Sequence, residues 1–230
     1  MTIQDILIYL LLAAGASFSF NKNKLTLPGA ITGLIVGLLI YEGTGLTGFT
    51  MLCLFFIAGS WATSWHRDQK NINEATQPRT AWQVLANGGV AAVLAIMAFI
   101  KPDLSPLLLV MMAGSFASAM ADTLSSELGM IYGKRFFNII TFKKDQRGLD
   151  GVVSIEGTII GLVGAFATAI VFWLYTGWDN ALFVITAAGF LGNIADSVLG
   201  AILERKKLIG NNPVNFLNTL TGALVCYILT

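Results

Sequence analysis

The chain has 230 residues, of which 55% are apolar and 12% are charged, and its mean hydropathy is +0.72. About a quarter of the residues of a soluble domain are charged, so this composition excludes a soluble globular protein and predicts an integral membrane protein. The net charge of +1 says little about partners, because the position of each charge matters more than the sum in a membrane protein. Cys53 and Cys226 lie in apolar runs and have no zinc-binding spacing.

Eight apolar runs along the chain have the length, roughly 15 to 25 residues, that crosses a bilayer. The predicted transmembrane helices cover residues 6–20, 27–41, 49–65, 81–100, 107–129, 152–173, 181–203 and 213–229. We therefore expect an all-α polytopic membrane protein with one transmembrane helical domain over residues 1–230.

The basic residues predict the orientation of these helices. Of the 14 lysines and arginines, all except Lys101 fall before predicted helices two, four, six and eight, in the odd-numbered loops. Cytoplasmic loops collect Lys and Arg. We expect the odd-numbered loops in the cytoplasm and both termini outside, in a bacterial plasma membrane.

Two carboxylates stand out inside the predicted spans. Asp122 lies in the segment 118–129 of predicted helix five, and Asp196 lies in the segment 192–200 of predicted helix seven; both follow an alanine and precede a hydroxyl residue. Ionisable residues within a span are rare unless they face a protein interior or water, so each is a functional-site hypothesis.

Helix geometry places several polar residues at one level. At 1.5 Å per residue, Asp122, Asp196 and Asn87 each lie about 9 to 10 Å from the predicted cytoplasmic end of their helix, with Asn218 near that level and Ser154 slightly shallower. This predicts a polar pocket near the cytoplasmic face and open to it. For any single Ser, Thr or Asn, an interhelical hydrogen bond explains the residue equally well.

A divalent cation would compensate the two buried aspartates, since no Lys or Arg lies inside a predicted span. Mg²⁺ prefers carboxylate oxygens together with water and phosphate oxygens. Asp122, Asp196 and Glu127 are therefore candidate metal ligands, with Glu156 as an alternative to Glu127.

Loop five carries five cations above this layer, at Lys134, Arg135, Lys143, Lys144 and Arg147. Ordinary positive-inside topology or contact with anionic lipid explains them. The functional alternative is neutralisation of a polyphosphate, since phosphoryl transfer depends on positioning and electrostatics. The chain has no phosphate-binding glycine motif of the P-loop or Rossmann type and no histidine cluster. Its tryptophans are typical of interface anchors, so we expect no nucleic-acid partner.

The polar segments resemble an integral-membrane family that includes the plant chloroplast phytyl-phosphate kinase and transmembrane protein 19, within a wider group containing phytol kinase, dolichol kinase and CDP-diacylglycerol synthase. The similarity runs from about residue 79 to residue 222, through segments 83–89, 121–129, 151–154, 196–200 and 214–216. Two positions depart from the family pattern, with Asp150 in the glycine-rich segment before Ser154 and Glu204 in place of glutamine.

The resemblance implies Mg²⁺-dependent transfer of a nucleotide γ-phosphate, with CTP as the expected donor, to a prenyl monophosphate such as a phytyl monophosphate. Candidate catalytic residues are Asp122, Asp196, Arg147 and Asn87. Candidate substrate- or nucleotide-binding residues are Ser126, Lys134, Lys144, Asp150, Ser154, Asn193, Ser197, Asn215 and Asn218. Expected partners are the prenyl phosphate lipid, the nucleoside triphosphate and membrane lipids, and a homodimer stays open.

Two alternatives remain. A lipid cytidylyltransferase would use the same residues, with the lipid phosphate attacking the α-phosphate and pyrophosphate leaving. A transporter or lipid scramblase is the rival from another class, because intramembrane acids also mark ion pathways and the repeated Ala-Asp step would suit internal repeats. The clustering of polar groups at one face argues against a path across the membrane.

Overall fold

The computed structural model describes residues 2–70 and 77–230, without the side chain of Arg67, and most of them are helical. The α-helices are α1 (Ile3–Asn21), α2 (Leu27–Ser64), α3 (Ala81–Ile100), α4 (Ser105–Tyr132), α5 (Ile155–Thr176), α6 (Ala181–Leu199) and α7 (Asn211–Leu229). Within the described residues, six helices are long and apolar enough to cross a membrane, α1 to α6. The eight-span count and the outside termini stay predictions.

Helix α2 covers two of the predicted helices, 27–41 and 49–65, and contains a sharp break between them. A straight helix of its 38 residues would be about 57 Å long, nearly twice the ~30 Å thickness of the hydrocarbon core. Gly45 interrupts it with φ +62° and ψ −149°, a backbone conformation essentially restricted to glycine. The predicted gap between residues 41 and 49 is therefore wrong, since helix continues up to and beyond this one residue.

The two halves of α2 lie side by side and run in opposite directions. Lys24 Nζ, just before the helix, donates to Ser64 Oγ at its end over 2.5 Å. Midway along, a Cβ placed on Gly37 would lie 3.5 Å from Leu52 Cδ2. The first half also lies alongside α3, because Thr26 N donates to the carbonyl of Arg79 over 3.0 Å.

Helix α4 is the centre of the fold. It contacts α2, α3, α5, α6 and α7, and Met112, Phe116 and Met120 on it are almost completely buried. Small residues permit close approach, as glycines do between membrane helices. A Cβ on Gly157 of α5 would lie 2.9 Å from the Ser125 carbonyl oxygen of α4.

A short antiparallel sheet makes the chain not purely α-helical. Strands β1 (Phe136–Asn138) and β2 (Val152–Ser154) pair with Phe136 opposite Ser154. The predicted helix 152–173 is thus wrong at its start, because β-branched Val152 and Val153 favour an extended backbone before α5 begins at Ile155.

The predicted helix 181–203 also changes character before its end. Helix α6 stops at Leu199, and a π-helical turn covers Gly200–Glu204. Single π-helical turns are rare overall, and those that occur are often found at functional sites. This one lies beside loop five, since a Cβ on Gly151 would lie 2.5 Å from Ala201 N.

Candidate functional site

Asp122 on α4 and Asp196 on α6 are brought into direct contact. The two helices lie against each other, with Gly189 of α6 beside the carbonyl of Ala117 on α4. One turn or two further on, the carboxyl groups of Asp122 and Asp196 lie close enough to interact electrostatically. The two helices therefore place two carboxyl groups side by side within the membrane-spanning bundle.

Buried amides and a hydroxyl hold this pair in place. Asn218 Nδ2 on α7 donates to Asp196 Oδ1 over 3.4 Å. Ser118 Oγ donates to the Asn218 carbonyl over 3.0 Å and also contacts Asn218 Oδ1. Asn193, buried one turn before Asp196, lies at the α5 interface, where a Cβ on Gly161 would be 2.9 Å from its Nδ2. Asn218 of α7 thus positions Asp196, and Ser118 of α4 holds Asn218 in turn.

Two further acids lie within electrostatic range of the pair. Glu204, in the π-helical turn, interacts with Asp122, and Asp150, in loop five, interacts with Asp196. Gly151 brings Asp150 there, because its φ of +73° and missing Cβ let the loop lie on Ala201. Both departures from the family pattern therefore add negative charge beside the aspartates.

The donor set of the pair fits Mg²⁺ better than a softer metal. Both aspartates offer hard oxygen ligands, and Mg²⁺ in proteins is bound by one or two carboxylates plus water and substrate phosphates. Within residues 2–70 and 77–230, the ion pairs are Lys70 with Glu127 and Arg205 with Asp145, so neither aspartate is in one. In the same residues, no three Asp, Glu, His or Cys side chains are grouped to hold one metal ion.

Glu127, the predicted third metal ligand, forms an ion pair in this structure, and its role as a metal ligand stays a prediction. Its Oε2 lies 2.8 Å from Nζ of Lys70, whose side chain is fully buried. The same Nζ donates to the Ala62 carbonyl over 2.6 Å. A buried ammonium needs an opposite charge and hydrogen-bond acceptors, and Glu127 supplies that charge.

Loop five is tied down by its own charged residues. The Arg147 guanidinium donates to the carbonyls of Met130, over 2.9 Å, and Gln69, over 3.3 Å, so it links α4 to the loop between α2 and α3 (loop three). Arg205 Nη1 lies 2.6 Å from Asp145 Oδ2. The hydrogen bond from Arg205 holds the pKa of Asp145 below its usual value. These contacts fold the loop over the cytoplasmic end predicted for α4.

A protein-family model and several known proteins match this chain. Residues 10–223 match the family described as integral membrane protein DUF92. The chain belongs to the DUF92 family. An uncharacterized membrane protein of Methanocaldococcus jannaschii is 30% identical over 97% of this chain and 94% of its own length.

Plant relatives of the DUF92 chain carry more specific names. The chloroplastic protein VTE6 of Arabidopsis thaliana is 30% identical over 89% of this chain and 65% of its own length. The chloroplastic phosphatidate cytidylyltransferase 4 of the same plant is 36% identical over 39% of this chain and 21% of its own length. No solved structure matches.

The other predicted site residues of this DUF92 protein make mostly local contacts. Asn87 Nδ2 donates to the Gln83 carbonyl, Ser126 Oγ to the Thr123 carbonyl and Ser197 Oγ to the Asn193 carbonyl. Ser154 Oγ caps α5 by accepting from Gly157 N over 3.1 Å. Lys134 and Lys144 are exposed, and Asn215 is half-buried. Direct contact of these residues with a substrate stays a prediction.

Three residues that make contacts around the site were not predicted as individual candidates from the sequence. Lys70 was counted only as a positive-inside charge, Glu204 only as a departure from the family pattern, and Arg79 only as a positive-inside charge and as the start of the similarity. Their partners are distant in the chain, as with Lys70 and Glu127. The one available signal for Arg79 was its position directly before a helix N-terminus lined with polar residues.

Proposed function

We propose that this DUF92 protein is a membrane phosphotransferase that converts a prenyl monophosphate to the diphosphate with a nucleoside triphosphate, CTP being the expected donor. The observation that carries the proposal is the contact between the Asp122 and Asp196 carboxyl groups. Two carboxylates held together in a membrane are costly unless a cation or a proton compensates them, and Mg²⁺ with phosphate oxygens compensates them directly.

The surrounding residues suit the same reaction. Asp122 and Asp196 would hold Mg²⁺, which neutralises charge on the transferring phosphoryl group when it is bound. Asn218 fixes the Asp196 carboxylate, and the buried Asn193 on the same helix contributes an amide near that level. Lys134 and Lys144 are exposed on the loop above and are available to a nucleotide polyphosphate. The acceptor class follows from the resemblance to phytyl-phosphate kinase.

A lipid cytidylyltransferase is the second candidate. The 36% identical segment of phosphatidate cytidylyltransferase 4 favours it. In that reaction the lipid phosphate oxygen attacks the α-phosphorus of CTP, and the bond to pyrophosphate breaks. The kinase instead breaks the bond between the β- and γ-phosphates and releases CDP.

Product analysis separates these reactions. Purified protein in nanodiscs is incubated with Mg²⁺, a C20 prenyl monophosphate, and CTP or ATP labelled at either the α- or the γ-phosphate. The kinase transfers the γ-label to the lipid, whereas the cytidylyltransferase transfers the α-label. If neither nucleotide gives a labelled lipid, the kinase and the cytidylyltransferase are both refuted. The transporter or scramblase alternative is then favoured, and a proteoliposome flux assay tests it.

Arg147 gives a second test, because its present contacts are structural. If Arg147 also meets the transferring phosphate, Arg147→Gln should lower the rate by roughly 30- to 1000-fold, about 2 to 4 kcal/mol of transition-state stabilisation. If it only links α4 to loop three, the variant should loosen the loop towards proteolysis with a small change in kcat. Kinetics at saturating lipid together with limited proteolysis distinguish the two roles.

A further inference from the structure

An apolar cavity of about 460 Å³ lies between α1, both halves of α2 and the beginning of α3. This volume falls within the range of small-molecule binding sites. Its walls are mostly aliphatic and aromatic, and they include Leu12, Val36, Phe49, Leu52 and Phe56. The cavity is separate from the contact between Asp122 and Asp196, which α4 and α6 form.

The cavity has one polar end. Among the described residues that line it, the charged one is Arg79, and Gln83 and Asn87 on the first turns of α3 line it as well. Arg79 Nη2 donates to Thr63 Oγ1 over 3.1 Å. Neither ion pair within the described residues includes Arg79. Burial lowers the pKa of Arg79, and the charge of Glu127 opposes that shift. A cation therefore lies at one end of a mostly apolar space.

This polar end adjoins the helix that carries Asp122. Gly59 lies between Arg79 and Thr123. A Cβ added to Gly59 would lie 3.8 Å from Arg79 Nη2 and 3.4 Å from Thr123 Cγ2. Thr123 directly follows Asp122 on α4. A group bound by the Arg79 guanidinium would accordingly lie next to the turn of α4 on which the aspartate stands.

The apolar part extends far from this end. Phe49 lines the cavity, and at 1.5 Å per residue it lies about 15 Å of helix away from Gly59, which is beside Arg79. The cavity is thus deep, apolar along its length and cationic at one end. A long apolar chain with a single anionic head complements each of these properties.

We propose that this cavity binds the isoprenoid tail of the lipid monophosphate and that Arg79 binds its phosphate. The proposal rests on the proposed function, because it identifies the lipid site of that same reaction. The phosphate on Arg79 would lie beside α4, and the tail would run between α1 and the second half of α2. Arg79 is then a substrate-binding residue that orients the acceptor towards the aspartates.

Photo-crosslinking tests the site without requiring turnover. The probe is a C20 isoprenyl monophosphate with a diazirine at the end of its tail, applied to the full chain in nanodiscs. We expect crosslinks to α1 and to the second half of α2, around Leu12 and Leu52. Crosslinks confined to α5 and α6, or equal labelling by a diazirine phospholipid of the bulk membrane, would overturn the proposal.

Cavity-filling variants sharpen the test. At Gly33 an added Cβ would meet nothing closer than Leu25 Cδ1 at 3.9 Å, so Gly33→Phe extends into the cavity without a backbone clash. We expect it to reduce C20 crosslinking at least tenfold and to leave binding of a C5 prenyl monophosphate unchanged. Gly15→Leu, where nothing lies within 4 Å of an added Cβ, is a second variant if the first does not fold.

Two further variants control for non-specific effects. Ala187→Phe fills the other groove, between α5 and α6, and should leave crosslinking unchanged. Arg79→Gln should weaken binding of both the C20 and the C5 probe at least tenfold, and Arg79→Lys should restore part of it. Unchanged binding in Gly33→Phe, Gly15→Leu and Arg79→Gln would overturn the assignment.

The outcomes for the site and for the reaction are separable. Crosslinking in the cavity with no labelled lipid product from the wild-type protein would refute the phosphotransferase and leave the lipid site standing. Product formed at the wild-type rate by Gly33→Phe would refute the lipid site and leave the phosphotransferase standing.

Discussion

Replacing Asp196 with asparagine separates the metal-binding role of the aspartate pair from a structural role. Where both carboxyl groups are ionised they repel each other, by about 4 kcal/mol for unit charges about 4 Å apart at an effective dielectric constant of about 20. The neutral asparagine side chain would remove this repulsion and keep an oxygen that accepts from Asn218. In EDTA we therefore expect Asp196→Asn to be at least as stable as the wild type.

Mg²⁺ should stabilise the wild type and not the variant. At a free concentration of 100 times Kd, a ligand that binds only the folded state adds about 2.7 kcal/mol to its stability. The wild type should gain this increment and Asp196→Asn should not, while turnover falls by about 100- to 1000-fold, as for loss of one transition-state ligand. Thermal unfolding in EDTA and in Mg²⁺, together with turnover, measures both effects.

The control is Asp103→Asn, an exposed carboxylate in the turn between α3 and α4. It should behave as the wild type in every assay. An Asp196→Asn variant that retained both the Mg²⁺-induced stabilisation and wild-type turnover would refute the assignment of Asp196 as a metal ligand.

Three other predictions address the ion pairs and the topology. Glu127→Gln should destabilise the protein by about 3 to 5 kcal/mol, because it leaves the Lys70 ammonium buried without its partner. Thermal unfolding should show that adding Lys70→Met recovers most of this loss. Lost turnover at unchanged stability would instead make Glu127 part of the site. Because the pKa of Asp145 is depressed in the folded state, its ion pair with Arg205 should persist above the unfolded pKa of about 3.9 and disappear as the pH falls through the folded value. Peptic cleavage of loop five, relative to a reference peptide, should therefore rise at low pH in the wild type, and Asp145→Asn should show no such step. Cysteines placed at Asp103 and Lys143 in a cysteine-free background should label from opposite sides of the membrane, and labelling from one side would contradict the predicted orientation.

The fold was most predictable where lipid imposes its demands directly. Hydropathy located α3 with its observed ends, because a span must be both apolar and long. The segment 42–48 contains three glycines and looked like a loop. It is helical on both sides of Gly45, since backbone groups near a membrane core need internal hydrogen bonds. The strand Val152–Ser154 was missed because a short apolar run does not distinguish strand from helix.

The site was predictable in depth and unpredictable in its pairings. Helix rise alone placed Asp122 and Asp196 at one level, and the structure shows their carboxyl groups in contact. Lys70 meets Glu127 across 57 positions of the chain, and no periodicity encodes that contact. Equal depth does not show on which side of its helix a residue lies. The depth argument therefore grouped Asn87 with the aspartates, although Asn87 lines the apolar cavity.

The central position of α4 has a consequence for how the protein is made. Asp122 is synthesised 74 residues before Asp196, an interval of about 4 to 15 s at 5–20 residues per second. Asn218, which holds Asp196, belongs to α7 and is synthesised later still. During this interval α4 carries a carboxylate that is costly in lipid and has none of its later neighbours. We expect the newborn chain to depend on the insertion machinery to shelter α4, and chains that end before α7 to be degraded by membrane proteases although both aspartates are present.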